Sequence, residues 1–551
     1  QAKLKIYNLK KGVTMMFKGN EIKFGECFNL PNPGLRSYLD NVVKGQPEEY
    51  RTTFAKGSSL SKVLADWKPT IDRIGDTWPT LLDFENDLAK KVGPLSIQKP
   101  LDERMGDIDH YYTMIKDPGE PISDKAISAT LAEWGSSRGL QLRDQKRTVE
   151  NMKLSTNSGS PYFTKRRAVV DKTVPARIET EGLSSRMFLN GQEWKPCAVL
   201  GWRGQEGGPN EEDVKQRVVW MFPFGVNICE LQVYQPLIMA AQRTELVPAW
   251  VGLESVDRRI TRMFDTKGEK DLVVCTDFSK FDQHFNSNLQ AAAKSILTQL
   301  LTPNAESRSW LENVFPVKYM IPLMYAWGEI RTGYHGMGSG SGGTNADETL
   351  AHRALQYEAA LANNQRLNPN SQCLGDDGIL TYPGITAEDV MRSYTAHGLE
   401  MNPDKQYVST QDCTYLRRWH HQHYRENGVC VGVYSTYRAL GRLCEQERYY
   451  DPEVWGPKMV ALRQLSIIEN CKYHPLKEEF VQFCMKRDKF RLGLDIPGFL
   501  DHIEKEAQVA TEYMPDFLGY TKSLEYENRA KKSPSSGISQ WWIVNYLRSL
   551  K

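Results

Sequence analysis

Eight residues, Cys373–Leu380 (CLGDDGIL), constrain this chain more than any other stretch. Two adjacent carboxylates, Asp376 and Asp377, lie between short apolar runs and are flanked by Gly375 and Gly378. Glycine supplies the positive φ that a two-residue turn needs, so the stretch predicts a tight β-hairpin with both acids at its tip. Adjacent ionised carboxylates repel, and holding two at one turn points to a cation between them. Gly and Asp are also ordinary turn residues. The motif therefore draws its weight from the segments that surround it in order.

The segment Asp271–Asn286 (DLVVCTDFSKFDQHFN) carries the next acids. Leu272 to Cys275 predict a buried strand with Asp277 at its C-terminal end, where sites on open sheets tend to lie. Asp282 follows five residues later, and apolar residues over 288–301 recur at helical spacing. Asp277 as a helix N-cap is the alternative. Against it, an uncompensated acid closing a buried strand is costly without a metal or cation. The stretch Gly333–Thr349 (GYHGMGSGSGGTNADET) then packs six glycines around Ser339, Ser341 and Thr344, ahead of a helical pattern over 346–362. Such a loop suits close approach of a sugar or a nucleic-acid backbone; a flexible linker is the bland reading.

Basic residues are grouped locally. Ser158-Gly159-Ser160-Pro161 predicts a turn, followed by Lys165-Arg166-Arg167. A glycine-rich loop at 201–208 carries Arg203, and in Val214–Phe222 the residues Lys215 and Arg217 alternate with Val214, Gln216 and Val218. As a strand they project from one face, where two cations repel unless an anion such as a triphosphate joins them. Tyr415–Tyr424 (YLRRWHHQHY) reads as a basic and aromatic hairpin fit to grip a strand end. Its histidines, with Cys413, match no structural zinc spacing.

The net charge of only +2 means that these tracts are balanced by acids elsewhere. At 551 residues, 40% hydrophobic and 25% charged, the chain should divide into two or more substructures of an ordinary soluble protein. No run of eighteen apolar residues occurs, and the ten cysteines form no CxxC pair. Both features favour a soluble protein of a reducing, intracellular compartment. Residues 1–150 read as scaffold, with helices over 59–67 and 125–138; 387–398 predicts a further helix, and 436–510 is mainly helical. Trp541, Trp542 and Tyr546 read as core anchors near the C-terminus.

Taken in order, these segments resemble the motifs of viral RNA-dependent RNA polymerases. Ser158-Gly159-Ser160-Pro161 is similar to motif G, and Lys215-Gln216-Arg217 to motif F. Asp277 and Asp282 match the Asp-x4-Asp of motif A, Ser339-Gly340 through Thr344 motif B, and Gly375-Asp376-Asp377 motif C. Lys405 falls where motif D carries its lysine, and Tyr415-Leu416-Arg417-Arg418 is similar to motif E, the primer grip. DFSKFDQHFN, GSGSGGTNADET and CLGDDG most closely resemble picobirnavirus polymerases, from small double-stranded RNA viruses; partitivirus polymerases are the neighbouring option. One position departs from the pattern. Four residues after the motif B threonine many positive-strand polymerases have Asn, whereas this chain has Glu348, with Asn345 directly after Thr344.

The resemblance implies a mixed α+β right hand of fingers, palm and thumb, closed by fingertips. It assigns 1–150 to an N-terminal extension and the start of the fingers, 151–265 to fingers and 266–310 to palm. It makes 311–335 a fingers insertion, 336–425 palm, and 426–551 thumb and tail. It further implies RNA synthesis from NTPs on an RNA template, with two Mg²⁺ or Mn²⁺ ions held by Asp277, Asp376 and Asp377; de novo initiation is the expectation, with a primed start as the alternative. Lys215, Arg217 and Arg203 would neutralise the triphosphate, and Lys405 would serve as general acid for pyrophosphate. Ser158, Gly159, Ser160, Pro161, Lys165, Arg166, Gly340, Arg417 and Arg418 would contact template or primer. Partners would be RNA, NTPs and the viral capsid protein, with no membrane; the protein would act as a monomer in the host cytoplasm and the virion. Asp282 stands where reverse transcriptases and many DNA polymerases put a bulky aromatic, so with Ser339, Thr344 or Asn345 it would hold a 2′-OH. A reverse transcriptase and a non-enzymatic RNA-binding or capsid-core protein are the competing readings.

Overall fold

A computed structural model describes residues 23–451, 453–513 and 537–551; 1–22, 452 and 514–536 lie outside them. At its centre is the strand Val273–Thr276, buried along its length, one residue on from the predicted span. β-Branched valines suit a strand with no solvent face. It pairs antiparallel with Asp377–Leu380, which turns back into Gln372–Leu374, and on its other edge with Tyr407–Ser409.

Side-chain alternation along this strand separates two cores. Val274 joins Leu380 in the largest cluster, while Val273 and Cys275 face Ile379, Val256, Ile260 and Met263. The helix Thr344–Ala362 packs on the first side, with Ser287–Leu300 and Asp124–Glu133 against it. Leu253–Thr266 covers the second. Ser287–Leu300 starts where Asn286 caps it by accepting from the Asn288 and Leu289 amides, and it buries Leu289, Ala292, Ala293, Ile296, Leu297 and Leu300.

A second four-stranded sheet is built on the long antiparallel hairpin of Ala198–Gln205 and Lys215–Met221, extended by Leu323–Ala326 and Glu329–Arg331. A separate core holds the C-terminal helices Thr436–Cys444, Pro457–Glu469, Lys477–Arg487 and Trp542–Ser549. The N-terminal helices Leu60–Ile71 and Pro79–Ala89 belong to this same core through Val63, Trp67, Ile71, Leu81 and Phe84. The tail anchors are Ile543, Val544 and Leu547, with Trp541, Trp542 and Tyr546 half-buried beside them.

The second sheet also meets the C-terminal lobe, and this contact is called the ring closure. From the tip of the long hairpin Glu206 reaches Arg438 (3.0 Å) and Arg203 reaches Glu447 (3.7 Å), both on the C-terminal lobe. The segment 90–98 straps this junction: Val92 lies against Gly441, Gly93 against the Gly208 carbonyl, and the Ile97 carbonyl accepts from Gln216. No helix among the described residues is long and apolar enough to cross a membrane. All ten cysteines are buried and unpaired.

Candidate active site

Leu374 pairs with Asp377, so the two turn residues of the hairpin are Gly375 (φ 57°) and Asp376. The acids are therefore not both at the tip, as the sequence predicts. Asp376 occupies the exposed turn, while Asp377 opens the returning strand and is half-buried. The Asp377 Oδ2 accepts from the Leu416 amide (2.8 Å), and burial together with the Asp376 charge pushes its carboxyl up to about 7. Asp377 thus ties the acid hairpin to the hairpin at 412–421.

Thr276 lies opposite Gly378, which brings Asp277 out of the central strand beside this turn. Asp277 is held by its own backbone: its N–H donates to Gln406 Oε1 (2.9 Å) and its carbonyl accepts from Gln406 Nε2 (2.8 Å). Asp277 and Asp376 are both exposed. The crowding of protein around them nonetheless raises both carboxyls; Lys405, Lys91 and Lys215 oppose this at Asp277, and Asp282 adds to it at Asp376. The turn is moored from the helix Thr344–Ala362, where Thr349 Oγ1 accepts from the Gly375 amide (3.0 Å) and His352 Nδ1 donates to its carbonyl (2.8 Å).

Glu348 comes from that same helix. It is 5% exposed, its Oε2 has no hydrogen-bond partner among the described residues, and its Oε1 lies 3.7 Å from where a Cβ on Gly375 would stand. Burial first, then the adjacent Asp282 carboxyl, pushes Glu348 well above the usual carboxylate range. Asn345 is committed elsewhere, its Oδ1 accepting from Trp250 Nε1 (2.7 Å). The Ser339 hydroxyl donates to the Val218 carbonyl (3.2 Å), and the Thr344 hydroxyl to those of Gly338 and Ser341 (3.2 Å each).

The cations gather as the strand pattern predicts. Lys215 and Arg217 are both exposed on one face of their strand, and Arg203 is the cross-strand partner of Arg217. Lys405 is exposed one residue before Gln406, and Lys91 joins from the 90–98 strap. Sequence reasoning missed Lys91, Gln406, Thr349 and His352, and marked Glu348 only as a departure from motif B, because long-range packing alone brings them here.

Several predicted RNA contacts are turned inward instead. Arg418 is 6% exposed and forks onto Asp257 (3.2 and 3.3 Å), which also accepts from His420 (2.9 Å). Arg417, at the turn, stays exposed. Ser158, Gly159, Ser160 and Pro161 are buried; Ser160 donates to the Cys27 carbonyl (2.7 Å) and Ser158 accepts from the Thr164 amide (3.1 Å). Arg166 is spent on Lys153 and Asn227, leaving Lys165 exposed beside it. A Cβ on Gly340 would stand 1.6 Å from the Trp220 carbonyl, so this glycine is required for the loop to pass the second sheet.

The family model for viral RNA-dependent RNA polymerase matches residues 132–430. This chain belongs to that family. It is 65% identical over 526 residues, 96% of this chain and 98% of the other, to a protein described as a potential RNA-dependent RNA polymerase of human picobirnavirus (strain Human/Thailand/Hy005102/-). It also superposes on the crystal structure of a human picobirnavirus RNA-dependent RNA polymerase with TM-score 0.91 and 64% identity, covering 96% of this chain and 99% of that one. An insertion-loop deletion mutant of such a polymerase gives TM-score 0.89 at 62% identity, with the same coverage. The chain is thus an enzyme with the right-hand polymerase fold, and the reverse-transcriptase and binding-protein readings fall away.

Divalent ions are general to this family. Among the described residues no three His, Cys, Asp or Glu side chains are gathered closely enough to hold a metal unaided. Two hard carboxylates, Asp277 and Asp376, under a group of cations nevertheless fit Mg²⁺ or Mn²⁺. Such ions are commonly held by one or two carboxylates, with substrate phosphates and water completing the shell.

Proposed function

We propose that this polymerase joins ribonucleotides on an RNA template through Asp277 and Asp376, which would hold two Mg²⁺ or Mn²⁺ ions. The observation that carries this is the convergence of these two acids, from adjacent antiparallel strands, beneath Lys405, Lys91, Lys215 and Arg217. When bound, the ions would lower the pKa of the attacking 3′-hydroxyl and stabilise the leaving oxygen. Asp377 serves here chiefly as the tether to Leu416. Lys215, Arg217 and Arg203 would neutralise the triphosphate, and Lys405, next to Gln406, would protonate departing pyrophosphate. Lys165 and Arg417 remain as exposed contacts for the RNA strands.

Sugar choice follows from Asp282. With the buried Glu348 beside it, Asp282 offers a 2′-OH an oriented acceptor, which favours ribonucleotides. Closure of the ring by the 90–98 strap and the Glu206–Arg438 pair supports synthesis that starts without a primer, the first two nucleotides meeting inside it. The reading extends to one copy of the chain working with viral capsid protein around it. The test is incorporation of labelled NTP on single-stranded RNA without primer, comparing wild type with Asp376→Ala. Full-length product from wild type alone is expected. Product from both proteins would remove Asp376 from the chemistry, and product only after a primer is supplied would overturn de novo initiation.

A further inference from the structure

Six residues, 338–343, of which four are glycine, form the loop ahead of the helix Thr344–Ala362. So glycine-rich a segment has little conformational preference of its own and must be held from outside. The holder is the first part of the helix Phe224–Arg243. Glu230, with no exposed surface, accepts from the Gly342 amide (3.0 Å) and from the Ser341 hydroxyl. Ser341 Oγ in turn accepts from the Gly343 amide (3.0 Å). Asn227 orients Glu230 by donating to its Oε1 (3.1 Å), and the same amide nitrogen reaches the Gly340 carbonyl (3.4 Å). From the other side Asn227 Oδ1 accepts from Arg166 (2.9 Å), whose guanidinium also covers the Phe224 ring.

A carboxylate is an expensive thing to bury for packing alone, since an apolar side chain would fill the same space without desolvating a charge. Burial raises the Glu230 carboxyl, and these donors and the field of the equally buried Lys318, itself paired with Asp347 (3.1 Å) at the start of the loop's own helix, offset it only in part. Every donor that Glu230 uses belongs either to the loop or to the residue that orients it. The arrangement serves loop geometry.

We propose that Glu230, oriented by Asn227, is a positioning residue that fixes the 338–343 loop in the conformation that receives the nucleotide, and that Arg166 joins this device to the basic loop at 165–167. The inference rests on the reading of the glycine-rich loop as part of the nucleotide site. Its test uses Glu230→Gln, Glu230→Ala and Asn227→Ala in the full chain. KM and kcat for NTP are measured on saturating RNA, with melting temperature and RNA affinity measured on the same preparations.

The expected result is an NTP KM raised about ten-fold in Glu230→Ala and by a smaller factor in Asn227→Ala, with unchanged RNA affinity. Glu230→Gln keeps an acceptor for Gly342 and should recover most of the wild-type KM. A purely structural role would lower the melting temperature and the active fraction, and so the apparent kcat, while leaving KM where it was. That outcome overturns the proposal. If Glu230→Ala does not fold, an unchanged KM in Asn227→Ala overturns it equally. The catalytic reading stands or falls separately on Asp376→Ala, since loss of the acid removes turnover whatever the KM.

Discussion

Asp282 and Glu348 illustrate how neighbours set a residue's part. Both are acids, and taken singly each would be a solvated charge. Side by side, with Asp376 close by, burial first and then these neighbouring charges push Glu348 well above the usual carboxylate range. What remains is a fixed hydrogen-bonding edge, the kind of surface that rejects a substrate lacking the matching hydroxyl. Replacing Asp282 by Ala should therefore lower the preference for NTP over dNTP by about ten-fold or more, as one lost hydrogen bond to a charged group would. Competing incorporation of NTP and dNTP measures this, and an undiminished preference would remove Asp282 from the sugar contact. Asp377 makes the opposite point: adjacent to Asp376 in sequence, it faces the next hairpin and bonds there.

Two elements depend on single buried acids. The hairpin at 412–421 is fastened to the helix Leu253–Thr266 by Asp257, which takes both Arg418 and His420. Asp257→Asn leaves the Arg418 guanidinium buried without its counter-charge and should cost about 3–5 kcal/mol in folding stability. Denaturant titration would show it as a lowered midpoint. The C-terminal lobe is fastened by Glu85, wholly buried and hydrogen-bonded to Ser435, Thr436 and His474. Burial opposes its charge, but these partners outweigh burial and hold the carboxyl below its ordinary value. A folded value below the unfolded one means that the stabilisation is present at neutral pH and is lost as pH falls through the folded value. Melting temperature should accordingly fall on acidification below about pH 4.5. Glu85→Gln, less stable at neutral pH, should lose less over the same range; parallel curves for the two proteins would dismiss Glu85 as the titrating group.

Across the whole molecule the ring decides what the acids can meet. Its closure depends on the Glu206–Arg438 pair and on the 90–98 strap, which carries Lys91 toward Asp277. Arg438→Ala should raise amide hydrogen exchange over 91–98 and 205–215 while leaving exchange in the central strand Val273–Thr276 unchanged. Equal protection in both proteins would show that packing of Val92 and Gly93 closes the ring without the ion pair.

Much of the proposed catalytic constellation was legible in the sequence because its parts are local. A strand alternates with period two, a turn demands glycine, and an acid at the end of an apolar run stands out whatever surrounds it. Those rules placed Asp277, Asp376, Lys215 and Arg217 on their elements before any tertiary contact was known, and the family resemblance ordered them. Only the tertiary structure decided that Arg418 and Ser158–Pro161 turn inward, that Asp377 binds the neighbouring hairpin, that Glu348 meets Asp282, and that helices over 60–89 complete the C-terminal core. The physical reason is range. Each of these outcomes depends on residues far apart in the chain competing for the same buried space and the same hydrogen-bond partners, and no local pattern records which of them wins.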